Sequence, residues 1–196
     1  MLNLASLGNM VEGFGKSVGN KFEQFPKALN DIKENTSEKN SDTPVSKDDT
    51  KEKKGIHENI ITRNESLEGD MHPITGVPFE RRVIEVEPGH TVEGVFPKFE
   101  SQFEAQLPKD MYEASDKKQF DECNAQLKDA VHKDPELRKK FTPEQLEQIE
   151  NGDTPDGYTW HHDATPGKMQ LVDSETHAST GHTGGRSVWG GGTEAR

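Results

Sequence analysis

Four of the eight histidines in this 196-residue chain fall within the 22 residues from His161 to His182. They sit in a stretch whose turn chemistry leaves few ways to fold. Tyr158-Thr159-Trp160 is strand-prone, Asp163 to Lys168 holds the turn pair Pro166-Gly167, and Met169 to Val172 reads as a returning strand. Ser174 then offers an N-cap for a short helix, and Gly181 a left-handed end to it. Neighbours on a strand point to opposite faces, so His161 and His162 divide their work. One of them faces the helix and joins His177 around a metal; the other faces away, toward a substrate. Imidazole titrates near neutrality, which suits one ring to ligation through a neutral nitrogen and another to general-base chemistry. His177 and His182 are five residues apart, too far round one helix to share a face, but Gly181 between them lets the chain swing back. Three histidine ligands leave metal positions open for water and a phosphate oxygen, the layout of a catalytic site.

The rest of the chain divides by composition. Over residues 1–30, Leu4, Leu7, Met10, Val11, Phe14, Val18, Phe22 and Phe25 recur at helical steps and predict an amphipathic helix, loosened by four glycines. Residues 31–66 are Lys, Glu, Asp, Ser and Thr with few apolar side chains, so burial cannot offset the entropy of ordering them; a disordered charged linker is expected. Residues 67–196 carry the core. Arg82 to Glu87 alternate as a strand, Phe96 to Gln106 and Ser115 to His132 read as helical, and Asp134-Pro135 and Thr142-Pro143 each open a short helix. The expected fold class is α+β: a helical domain ending in a strand–strand–helix metal motif, with its core at about 157–186.

Charge and composition exclude several classes. The net charge is −12, and from Leu67 onward 25 acidic residues face 14 basic ones, so a wholly basic nucleic-acid coat protein is ruled out. A metal would have to invert the local charge for phosphates to approach. The single cysteine, Cys123, excludes a disulfide framework. No transmembrane run and no signal-peptide pattern is legible, so a specialised delivery route is expected.

The segment Trp160-His161-His162, Met169-Gln170-Leu171-Val172, His177 and Gly181-His182-Thr183-Gly184-Gly185 resembles the ββα-metal motif of the HNH nucleases. In particular it is similar to the DNase/tRNase domain of colicin-like bacteriocins and to the WHH-type nucleases of polymorphic toxins. Ala130 to Leu137, Phe141 to Pro143 and His72 to Phe79 resemble flanking parts of such domains. The resemblance implies that His161, His177 and His182 ligate one divalent ion (Zn, Mg, Mn or Ni), and that His162 is the general base. It implies phosphate contacts from Arg186, Arg81 or Arg82, with Asp163 and Gln170 in support. The expected function is a bacterial toxin nuclease hydrolysing DNA in a competitor cell. Made in the bacterial cytoplasm, it would be delivered by a specialised secretion system, with the N-terminal segment as a candidate contact for it, and be shielded at home by a cognate immunity protein. The alternatives are a tRNA-cleaving toxin of the same fold, a non-catalytic zinc-binding interaction module, or a membrane-acting toxin using the first 25 residues. The sequence departs from the colicin pattern in three places. Gln170 is the amide nearest the usual Asn, Pro155 and Thr159 stand where an Arg and a Glu are usual, and the two late histidines are five rather than four apart.

Overall fold

In the computed structural model, which describes residues 55–192, the alternation of Phe79, Ile84 and their charged neighbours becomes a hairpin. Its strands β2 (Phe79–Glu87) and β3 (His90–Pro97) pair antiparallel, with a bulge between Glu85 and Glu87 and Gly89 turning at φ 78°. A third strand, β1 (Ile56–Asn59), lies parallel to β3, giving the sheet order β1-β3-β2. Ile84 and Phe96 point inward and pack with Ala164, whereas every residue of β1 is exposed.

A second sheet is built from β4 (Phe103–Gln106), β5 (Tyr158–His162) and β6 (Lys168–Asp173) in the antiparallel order β4-β6-β5. Between β4 and β5 run the helices α1 (Asp116–Lys133), α2 (Pro135–Arg138) and α3 (Pro143–Asn151). The Asp134 carboxylate caps α2 at its Glu136 and Leu137 amides. Thr142 and Gln145 form a capping box on α3, which ends at Gly152 with φ 84°. Cys123, Leu127 and Val131 line one face of α1 and meet Trp160, Met169 and Leu171 from the sheet. Burying side chains of this size contributes about 1.5–3 kcal/mol each. Burial also pushes the Cys123 thiol up to about 12, so it is packed and inert. The other face of the second sheet covers Val172, Phe99 and Val77. After β6 come α4 (Ser174–Thr180) and α5 (Gly185–Val188).

Three sequence expectations need correction. Phe96 to Gln106 is not helical: Val95, Phe96 and Pro97 complete β3 against β2, and the chain resumes as β4 only at Phe103. Local apolar spacing there was outweighed by cross-strand pairing. The end of the charged segment is ordered, because Ile60 and buried Thr62 follow β1 and pack beside the first sheet. Ser174 does not cap α4; Asp173 does, its carboxylate accepting from the Thr176 amide. The amphipathic helix expected over 1–30 lies outside the described residues, as does the linker up to residue 54. Among the described residues no helix is long and apolar enough to cross a membrane.

Candidate metal centre and its neighbours

β5 and β6 form the hairpin on which the site stands, with His161 opposite Gln170 and His162 opposite Met169. Strand geometry sends the two histidines to opposite faces of the sheet. On the His161 face, α4 presents His177. Gly181, at φ 49°, then turns the chain so that His182 returns to the same place. His161 Nδ1 lies 3.3 Å from His177 Nε2 and 3.1 Å from His182 Nε2. One nitrogen from each of the three rings lies within 4.8 Å of the others. Nitrogens bound at about 2.0–2.1 Å to one tetrahedral ion stand about 3.3 Å apart, so the residues fit a metal.

Electrostatics agree with that fit. Burial, reinforced by the neighbouring His182 and His177 rings, holds His161 well below its ordinary value. Burial also lowers His177, and burial, with the neighbouring His177 ring and the Arg63 guanidinium, brings His182 down to about 4. All three rings are therefore neutral at pH 7, the form that ligates. Phe99 closes the back of the cluster, its ring centroid 4.7, 5.4 and 5.1 Å from those of His161, His177 and His182. An apolar wall of this kind limits solvent access to an ion.

On the opposite face His162 lies among Phe120, Trp189 and Gln119. Its Nε2 is 2.7 Å from Gln119 Oε1. Gln119 Oε1 also accepts from Arg186 Nη1 at 2.9 Å, and Arg186 Nη2 is 3.3 Å from the Asp116 carboxylate. Gly185 lets α5 come this close to β5, since a Cβ there would run into the Asp163 carbonyl oxygen. Both faces nonetheless open onto one cavity of about 360 Å³, lined by His161, His162, His177, His182, Asp116 and Arg186 among others.

The remaining candidates are distributed differently. Asp163 receives both nitrogens of the Arg82 fork, at 2.9 and 3.0 Å, and the Thr165 amide at 2.8 Å. Burial alone would raise its carboxyl, but these bonds outweigh that and hold it at about 2. Arg82 thus joins the first sheet to the turn after β5. Arg81, on the opposite face of β2, is held by Glu68 and Glu93 and is not brought to the histidines. Gln170 donates to Glu104, which also pairs with Lys168. Trp160 is core, its indole donating to Asn124.

Sequence reasoning missed Phe99, Gln119 and the pair Arg63-Asn64. The Asn64 amide donates to the carbonyls of Thr180 and Gly181, and the Arg63 amide donates to Thr183 Oγ1, so this pair clasps the chain that carries His182. The Arg63 guanidinium lies over Gly181. Among the described residues no hydrogen bond or ion pair holds it. The one available signal was Asn64 itself, since Asn tolerates the left-handed conformation it adopts at φ 67°.

Residues 88–184 match the family model of the DNase/tRNase domain of colicin-like bacteriocins. No curated protein and no solved structure matches the chain.

Proposed function

Because residues 88–184 carry a DNase/tRNase domain of the colicin-like bacteriocin family, we propose that this toxin nuclease hydrolyses DNA phosphodiester bonds with one divalent metal ion. The observation that carries the reading is the convergence of three neutral imidazoles, 3.1 and 3.3 Å apart at their nearest nitrogens, beside a fourth histidine in the same cavity. The arrangement is an HNH-type ββα-metal motif, formed by the β5–β6 hairpin and α4.

His161, His177 and His182 hold the ion, which when bound supplies positive charge for the phosphate and the leaving oxygen. His162, on the other face of β5, takes the proton of the attacking water. Arg63 meets the substrate phosphate, because its guanidinium borders the histidine cluster without an acidic partner among the described residues. Arg82 and Arg81, tied to carboxylates, serve the fold instead. Arg186 lies 6% exposed at the cavity wall and braces Gln119. An immunity protein would cover this cavity in the producing cell, and a specialised secretion route would carry the toxin out.

Plasmid DNA incubated with the full chain and Mg²⁺, Mn²⁺, Ni²⁺ or Zn²⁺ tests the reading. Metal-dependent nicking, abolished by chelator and by His162→Ala while that variant still binds Zn²⁺, is expected. Arg63→Ala should weaken cleavage without weakening Zn²⁺ binding. Cleavage of tRNA alone would move the substrate to the family's other branch. Zinc binding without cleavage of either would leave an interaction module.

A further inference from the structure

Every hydrogen-bonding atom of Gln119 is used, although its side chain has no exposed surface. Nε2 donates to two backbone carbonyls, Met111 O at 2.8 Å and Tyr112 O at 2.7 Å. Carbonyl oxygens only accept, so the amide cannot be turned round; Oε1 must point the other way. There it accepts from Arg186 Nη1 at 2.9 Å and meets His162 Nε2 at 2.7 Å. An oxygen that only accepts requires a hydrogen on the ring nitrogen facing it.

We propose that Gln119 is the positioning residue of His162: it holds the ring in the Nε2–H tautomer, so that Nδ1 carries the lone pair for general-base work. The catalytic half of this rests on the nuclease reading above; the tautomer rests on the hydrogen bonds. The amide oxygen is uncharged, so it orients the ring without placing a negative charge beside the phosphate path. Its own orientation is fixed from two sides. The Met111 and Tyr112 carbonyls precede α1, and Arg186, anchored by Ala114 O at 3.1 Å, reaches in from α5. His162 contributes no metal ligand, so its tautomer needs a fixed partner of this kind, whereas an ion selects the tautomer of the rings that bind it.

Two-bond ¹H–¹⁵N correlation on the full chain with ¹⁵N-labelled histidine reads the tautomer directly, in the apo and Zn²⁺-loaded protein. His162→Ala identifies the signals. Wild-type His162 is expected to carry its hydrogen on Nε2. Gln119→Met should give mixed tautomers and a cleavage kcat about 10–100-fold lower, with Zn²⁺ affinity unchanged. Gln119→Glu, which keeps an oxygen toward Nε2, should retain the wild-type tautomer. Hydrogen on Nδ1 in the wild type, or an unchanged tautomer in Gln119→Met, overturns the proposal, as does loss of Zn²⁺ binding in that variant. Wild type with hydrogen on Nε2 but no nucleic-acid cleavage sinks the nuclease reading and leaves the tautomer standing.

Discussion

The two sheets of this domain have the same number of strands and opposite characters. The first, β1-β3-β2, has one fully exposed strand and carries its charges as surface pairs, such as Arg81 with Glu68. The second, β4-β6-β5, is covered on both faces, by α1 to α3 on one side and by Phe99 and the histidine cluster on the other. A sheet buried on both faces can send adjacent residues into two chemically different environments. That is how His161 reaches the histidine cluster and His162 a polar brace. The first sheet is tied to the turn after β5 through Arg82, whose fork grips Asp163.

Substitutions can break this contrast. Leu171→Ala at the centre of the second sheet should cost about 2–5 kcal/mol in denaturant unfolding, because a fully buried side chain leaves a cavity. A smaller loss in Leu171→Ala than in an exposed first-sheet variant would show that the second sheet is not the structural centre. Asp163→Asn, which cuts the tie between the sheets, should cost about 2 kcal/mol at pH 7. The folded carboxyl sits at about 2, below its ordinary 3.8. Its stabilisation is therefore complete above the ordinary value and is lost as pH falls toward about 2. The gap between Asp163→Asn and wild type should close over that range.

The histidines sharpen the contrast by pH. His161, His177 and His182 are all lowered from the ordinary 6.5, so the unfolded chain takes up their protons first as pH falls. The apo protein should therefore lose Tm as pH drops below 6.5, and Zn²⁺ at neutral pH should raise it. A flat apo profile would mean that the three rings are solvated. Among the small effects, Val83→Ala on the exposed face of β2 should stay within about 0.5 kcal/mol of wild type. Arg81→Ala nearby should leave the unfolding midpoint unmoved, its ion pairs being exposed to solvent.

What could be read from sequence follows the same division. Strands β5 and β6, the caps at Asp134 and Thr142, and the apolar face of α1 are written in local chemistry: turn residues, proline at a helix start, spacing of Cys123, Leu127 and Val131. The grouping of His161, His177 and His182 follows from those elements. The first sheet was legible only in β2, because β1 has no buried face to pattern it and β3 gains its form from pairing. Gln119 was invisible for another reason: a polar residue on the apolar face of α1 gives no periodic signal, and its partners His162 and Arg186 are 43 and 67 residues away.

The clasp of Arg63 and Asn64 on α4 bears on folding kinetics. It joins positions 116 to 120 residues apart, and β2 through β6 with α1 to α3 lie between the two ends. Contacts of such sequence separation form late, after the entropy of closing a long loop has been met by other structure. His161 and His177 can approach each other as soon as the hairpin and α4 form. His182 depends on the clasp for its place, so the loop-closure entropy of the long intervening chain weighs on this histidine more than on the other two.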